Sequence, residues 1–145
     1  YAFKGPPYPN ATVLVDALRE VTPPQYKYVI DDWFESITLY DNRATNATAR
    51  KLADGRYEVT VDVVANKRKA DELGKESDVP LDDWIDVGVL DADGAPLYRE
   101  KKHITADKSR FTVTVAGKPA RAGIDPLNLL IDRKPKDNTV AVEMK

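Results

Sequence analysis

The sequence predicts a mainly β protein, an antiparallel β-sandwich of the immunoglobulin or fibronectin type III kind preceded by two short helices. Apolar and polar residues alternate along several segments after residue 36. Turn sequences rich in Gly, Asp and Pro separate these segments. Before residue 36 the apolar residues recur with helical spacing. We therefore expect a helical segment over residues 1–36 and a β-sandwich domain over residues 37–145.

The first predicted helix has the sequence ATVLVDALREV and follows Asn10, a residue type that commonly caps helix N-termini. Its apolar residues recur at helical spacing. They are Leu14, Ala17, Leu18 and Val21. The spacing places them on one face, so we expect this helix to pack along that face.

The second predicted helix begins after Thr22-Pro23-Pro24-Gln25, which predicts a capping box with Thr22 as N-cap. The helix then carries five apolar residues on one side. They are Tyr26, Val29, Ile30, Trp33 and Phe34. Because a helix this short is not stable alone, we expect this face to pack against another part of the protein.

Six or seven strands are predicted, and six segments outside residues 120–131 are assigned to them. Three show strict alternation, and they are Tyr57–Val63, Phe111–Val115 and Val140–Met144. Three more are candidates, and they are Ile37–Tyr40, Trp84–Leu90 and Leu97–Ile104. The polar stretch 66–80 reads as a long hairpin, or as an edge strand with a loop. Strands and turns at this spacing are typical of an antiparallel sandwich.

The C-terminal stretch AGIDPLNLLIDRKPKDN reads as the closing edge of this domain. A strand is predicted over 120–124, and Asp125-Pro126 ends it because proline cannot donate to a strand ladder. Leu129–Ile131 are predicted to resume as a short buried strand. A turn over 134–138 then leads into the last strand.

Composition excludes several classes of function. The 145 residues carry a net charge of −2 with both signs mixed, which is not the pattern of a nucleic-acid-binding protein. The basic run Lys67-Arg68-Lys69 is followed by acidic residues, so we expect a solvated hairpin. No apolar run is long enough for membrane insertion, and no signal peptide follows Tyr1. Because the sequence begins with Tyr1 and not with methionine, we expect it to be a piece of a longer protein.

Candidate cofactor ligands are scarce in this chain. It has one histidine, His103, and no cysteine, whereas zinc sites usually take histidine and cysteine ligands. His103 ends a charged strand and is expected at the surface. No residue is therefore assigned to a cofactor or metal.

Acidic residues around Trp84 offer one candidate site. Asp82, Asp83 and Asp86 flank this tryptophan, and carboxylates beside an aromatic ring suit glycoside hydrolysis or sugar binding. The alternative is a loop entering a strand, with Trp84 in the core and the aspartates in water. General burial tendencies favour this alternative.

Four stretches resemble the C-terminal end of bacterial M1-family zinc metallopeptidases, specifically the kind fused to a permease-like membrane region. They are YAFKGPPYPNATVLVDALREVTP, DDWFESITLYDNRA, VPLDDWIDVGVLD and AGIDPLNLLIDRKPKDN. The resemblance runs along the whole chain and rests on several stretches in order. It contains no catalytic signature.

The resemblance implies an architecture and a role. Residues 1–36 would end the helical part of the peptidase domain, and residues 37–145 would form the β-sandwich that follows it. The family's His-Glu-x-x-His helix and Gly-x-Met-Glu-Asn loop are absent, and Glu143-Met144 does not match the latter. No catalytic residue is therefore carried over. Zinc is expected in the catalytic domain of the parent protein. That parent would be a bacterial membrane protein, and this segment would be one of its soluble domains.

We therefore expect a non-catalytic domain that braces the peptidase, with Tyr26, Val29, Ile30, Trp33 and Phe34 at the interdomain contact. Its partner would be the remainder of the parent peptidase, and the isolated fragment could form a homodimer through the same face. Two alternatives stay open. One is a stand-alone immunoglobulin-like interaction module, and the other is a small carbohydrate-binding or hydrolytic domain that uses Asp82, Asp83 and Trp84.

Overall fold

A computed structural model describes residue 5, residue 8 and residues 10–145; the rest of the predicted 1–36 segment lies outside the described residues. The helical elements are α1 (Ala11–Val21), a 3-10 turn (Pro24–Tyr26), α2 (Tyr28–Ile30), a π-helical turn (Asp31–Glu35) and a second 3-10 turn (Pro135–Asp137). The strands are β1 (Ile37–Lys51), β2 (Tyr57–Ala70), β3 (Glu76–Val79), β4 (Asp83–Leu90), β5 (Pro96–Ile104), β6 (Lys108–Val115), β7 (Arg121–Ile124), β8 (Thr139–Ala141) and β9 (Glu143–Met144).

The described strands form two sheets. One has the order β3-β2-β1-β9, and β6 also pairs with β2. The other has the order β5-β4-β7-β8. The described strands pair antiparallel except for the short parallel contact of β9 with β1, and an isolated parallel bridge joins Tyr40 to Asp132. This arrangement confirms the predicted β-sandwich preceded by short helices.

The core lies between the two sheets and is built from the alternating residues of the strands. From β2 come Val59, Val61 and Val63, and from the other sheet come Val87, Val89 and Ile124, all at most 2% exposed. Burial of such side chains contributes roughly 1.5–3 kcal/mol each, which makes this layer the main source of stability. The alternation predicted for β2 is confirmed.

Strand β1 is much longer than the predicted Ile37–Tyr40 segment. Its inward side chains after Tyr40 include Ala44 and Ala47, which are buried but small. A register shift between Ala44 and Asn46 also moves the inward positions from even to odd numbers. Because these inward side chains are small and the alternation changes phase at the register shift, a period-two pattern does not reveal the strand in the sequence.

The predicted buried strand at Leu129–Ile131 is wrong. Leu129 and Ile131 are 57% and 61% exposed, and the segment is a loop. The carboxylate of Asp125 accepts hydrogen bonds from the backbone N–H groups of Leu129 and Leu130 at 2.9 and 3.0 Å. A side chain thus satisfies the donors that a strand partner would otherwise bind.

The last predicted strand, Val140–Met144, is divided. Its first part is β8 in one sheet and its second part is β9 in the other. Between them, the N–H group of Val142 donates to the carbonyl of Ala120 at 2.9 Å. The chain therefore crosses from one sheet to the other.

The N-terminal helix follows the prediction, but the capping box does not form. Asn10 caps α1, since its side chain accepts a hydrogen bond from the N–H group of Val13. Thr22 closes α1 instead of starting the next helix, because its hydroxyl donates to the carbonyl of Leu18 at 2.6 Å. The hydroxyl therefore binds α1, and it does not cap the helical turn that follows.

Candidate functional site

The second helical region is irregular, and this irregularity divides the predicted apolar face. After α2 the chain continues as a π-helical turn, whose i→i+5 pattern widens each turn. Ile30 is buried at 6% exposure, and Tyr26 and Val29 are half-buried. Trp33 and Phe34 stay 60% and 48% exposed. The apolar face predicted to form the interdomain contact is thus only partly covered within this chain.

The π-helical turn directs Asp32 toward the sandwich, where it meets a buried lysine. Asp32 Oδ2 lies 2.5 Å from the Nζ atom of Lys67, and Asp83 Oδ2 lies 3.0 Å from the same atom. All three side chains are at most 6% exposed. Lys69 adds a second positive charge at 3.1 Å from Asp32 Oδ1. The two carboxylates and two ammonium groups therefore balance in charge.

Two tyrosines complete this charge cluster. The hydroxyl of Tyr40 donates to Asp83 at 2.8 Å, and burial raises its pKa, assisted by the negative charge of Asp83. The hydroxyl of Tyr28 accepts a hydrogen bond from the N–H group of Trp84 at 2.8 Å. Burial raises the pKa of Tyr28 to about 12. Lys67 Nζ also lies 5.0 Å from the centre of the Tyr28 ring, a cation–π distance.

Lys67 corrects the prediction of a solvated basic hairpin. It lies at an inward position of β2, in the same alternation as Val61, Val63 and Ala65. Tyr40 is its cross-strand partner on β1. Extending the period-two pattern of β2 to residue 67 would have flagged this lysine. Its acidic partners could not be found that way, because they are distant in sequence.

The acidic residues around Trp84 do not behave alike. Asp82 is exposed and pairs with His103 across 2.5 Å, whereas Asp83 and Asp86 are 2% and 8% exposed. The expectation that all the aspartates lie in water is therefore wrong. Asp83 belongs to the charge cluster, and burial is tolerated because Lys67 and Tyr40 bind it.

Trp84 lies outside the core cluster and is half-buried, which corrects its predicted core position. Its ring stacks on His103 with centroids 5.0 Å apart and meets the edge of Tyr26 at 6.2 Å. A cleft of about 580 Å³ beside it is also lined by Asp82 and Asp83. Asp83 is held by Lys67 and Tyr40 in the interior, whereas Asp82 pairs with His103 at the surface, so the two carboxylates have unlike surroundings.

Metal binding receives no support from the described part of the chain. Within it, no group of three His, Cys, Asp or Glu side chains could share a metal ion. His103, predicted at the surface, has a side chain that is 46% exposed.

The most conspicuous uncovered surface belongs to the helical segment. Helix α1 has no buried residue, and its apolar Leu14 and Val21 are 58% and 77% exposed. Trp33 and Phe34 line an apolar groove of about 600 Å³ between this segment and the sandwich. The same two residues also line a shallower depression next to the β2–β3 hairpin. We call Trp33 and Phe34 with these two depressions the aromatic face.

Comparison with known proteins yields no match to a family model, a curated protein or a solved structure. Within the described residues, none of the helices combines the length and apolar character that a membrane crossing requires.

Proposed function

We propose that this chain is the non-catalytic C-terminal β-sandwich domain of a larger M1-type zinc aminopeptidase of the kind fused to a permease-like membrane region. In this role it braces the catalytic domain, with the helical segment at the junction. Four stretches in the family's order support the proposal. Zinc belongs to the catalytic domain of the parent, and this segment is a domain outside the bilayer of a bacterial membrane protein.

One observation carries the proposal, namely that α1 buries none of its residues. An amphipathic helix of eleven residues is marginal in water unless its apolar face packs. Here Arg19 tethers α1 through ion pairs with Asp31 and Glu35, at 3.0 and 2.5 Å, while Leu14 and Val21 face solvent. A helix held at its polar side, with Leu14 and Val21 exposed and Leu18 only half-buried, is suited to packing against another domain.

The charge cluster supports a bracing role rather than a catalytic one. Asp32, Lys67 and Asp83 are buried, and the charges of the two carboxylates are balanced by Lys67 and by Lys69 beside Asp32. They connect the helical segment to β2 of one sheet and to β4 of the other. A buried ion pair mainly adds specificity of position, because desolvation offsets most of its attraction.

Binding to the catalytic part of the parent protein tests this proposal. The upstream region, produced separately, should bind the 145-residue chain and should contain a His-Glu-x-x-His sequence. A Trp33→Ala variant should bind more weakly, while the exposed Asp93→Asn variant at the β4–β5 turn should bind equally well. An upstream region without that motif, or one that does not bind, would contradict the proposal.

Two other functions remain distinguishable by experiment. A stand-alone immunoglobulin-like module would have no peptidase sequence before it and would bind an unrelated protein. A sugar-binding or hydrolytic domain would respond to Asp82→Asn and Trp84→Ala in a glycan or glycosidase screen. Asp82 is paired with His103 and Asp83 with Lys67, which does not favour that second function.

A further inference from the structure

We propose that the aromatic face accepts an amphipathic helix whose apolar side is flanked by basic residues. This inference deepens the proposed function and rests on it, because it names the chemistry of the partner segment that covers the junction. It depends on the composition of the two depressions, their charge and the kind of surface that forms their walls.

The centre of the face is apolar and sized for side chains. The deeper groove is lined by Val29, Trp33 and Phe34 of the helical segment and by Trp84 and Leu129 of the sandwich. Its volume of about 600 Å³ lies within the roughly 300–1,000 Å³ typical of ligand pockets. Large aromatic side chains in such a place are the usual anchors of a protein interface.

The rim on the hairpin side is acidic. The shallower depression combines Ile37 and Leu73, which are 56% and 94% exposed, with the carboxylates of Glu35, Asp71 and Glu72. Its described lining includes no basic side chain. Arg19 pairs with Glu35, whereas Asp71 and Glu72 are exposed, and one carboxylate oxygen of Asp71 accepts hydrogen bonds from the N–H groups of Leu73 and Lys75 at 3.0 and 2.9 Å.

The acidic rim favours some binding partners of this apolar surface over others. Lysine or arginine beside the apolar residues of a partner would meet Asp71 and Glu72, and complementary charge favours both encounter and register. A second copy of this chain would bring its own carboxylates to the same rim, and like charges disfavour that contact. Lys101, which lines the deeper groove, is paired with Asp86 at 3.5 Å, and the hairpin-side rim keeps its acidic character.

The walls favour a helix over an extended strand. The lining consists of side chains from the helical turns, from the loop after β7 and from strands β1, β4 and β5. An added strand needs a row of unpaired backbone groups, whereas a helix needs an apolar groove for residues at i, i+3, i+4 and i+7. The aromatic face supplies the second kind of surface.

Binding of designed peptides to the intact 145-residue chain tests this inference. The probe is a labelled helical peptide with leucine at i, i+3, i+4 and i+7 and lysine on its flanks. One control peptide has glutamate in place of lysine, and the other has the lysine peptide's composition in scrambled order. Fluorescence anisotropy should show at least about tenfold tighter binding of the lysine helix than of either control.

Variants of the chain separate the two parts of the surface. Trp33→Ala and Phe34→Ala should each weaken binding of the lysine helix about tenfold, as expected for interface anchors. Asp71→Asn combined with Glu72→Gln should weaken it several-fold and reduce its dependence on salt. Asp93→Asn, an exposed carboxylate of the β4–β5 turn, is the matched control and should change nothing. Circular dichroism and melting confirm that each variant is folded.

Three results would overturn the inference. They are equal affinity for the lysine and glutamate helices, affinity that ignores Trp33 and Phe34, or a homodimer in sedimentation that Trp33→Ala abolishes. If the chain binds the catalytic part of its parent but not the lysine helix, this inference fails and the proposed function stands. If it binds the lysine helix but not that catalytic part, the proposed function fails while the chemistry of the groove stands.

Discussion

Asp32 of the helical segment and Lys67 of β2 form a buried ion pair, with 2.5 Å between Oδ2 and Nζ. The two residues are far apart in sequence and join the helices to the sandwich. Asp83 binds the same ammonium group, so removal of Lys67 leaves two carboxylates buried. The consequences of this arrangement can be measured.

Lys67→Met should destabilise the chain by about 3–5 kcal/mol, the usual effect of breaking a buried pair by removing one partner. The free energy of unfolding from urea titration measures it. Arg68→Met is the matched control, because the neighbouring arginine pairs with Asp78 and Glu76 at the surface, which are exposed or partly exposed. It should change stability too little to resolve. Similar effects of both substitutions would show that the cluster is not buried as described.

The sandwich should fold without the helical segment. Its core cluster runs from Tyr40 to Ile124 and includes no residue of the helices. A chain beginning at Ser36 should therefore give a β-type circular dichroism spectrum and a cooperative melt at lower temperature than the intact chain. A disordered product would show that the helices belong to the same folding unit.

Stability should fall at alkaline pH because of Tyr28. Its pKa is raised from 10.0 to about 12 in the folded chain. Between these values the unfolded chain has lost the phenol proton and the folded chain keeps it, so the free energy of unfolding decreases as pH rises. The slope approaches ~1.4 kcal/mol per pH unit from this group. Tyr28→Phe should reduce the slope without abolishing it, because burial also raises the pKa of Tyr40, and phenolate absorbance of the two proteins locates the titration. An unchanged slope would contradict the assignment.

The isolated chain should bind no stoichiometric zinc and release no product from aminopeptidase substrates. The physical reason is a single histidine and no cysteine, too few of the ligands that zinc prefers. Metal analysis after dialysis and a fluorogenic assay check both statements. Bound zinc together with turnover that a chelator abolishes would contradict the non-catalytic role.

The parts of the fold that local patterns encode were predictable. The alternation of Val59, Val61 and Val63 marks β2, and Asn10 marks the start of α1. The charge cluster was not predictable, because it needs the register that places Tyr40 opposite Lys67. Sequence spacing alone does not give that register, which depends on contacts across the sheet.

The candidate site was predictable in its residues but not in their exposure. The sequence groups Tyr26, Val29, Ile30, Trp33 and Phe34 on one helical face. The π-helical turn rotates the end of that face, so Ile30 is buried while Trp33 and Phe34 remain exposed. A local widening of the helix leaves no clear mark in residue spacing, since the same residues also fit a regular helix.

The most direct test of the proposed junction compares Trp33→Ala in the parent protein and in the 145-residue chain. Trp33 is 60% exposed here, so the isolated chain should lose about 1 kcal/mol or less. In the parent the tryptophan should be covered, and the loss should approach the ~3–5 kcal/mol of a buried aromatic. Ile30→Ala, at a position already buried, is the control and should cost about 2–5 kcal/mol in both. Chemical denaturation of both proteins supplies the values. A clearly larger loss in the parent is the predicted result, and equal small losses in the two would contradict the junction.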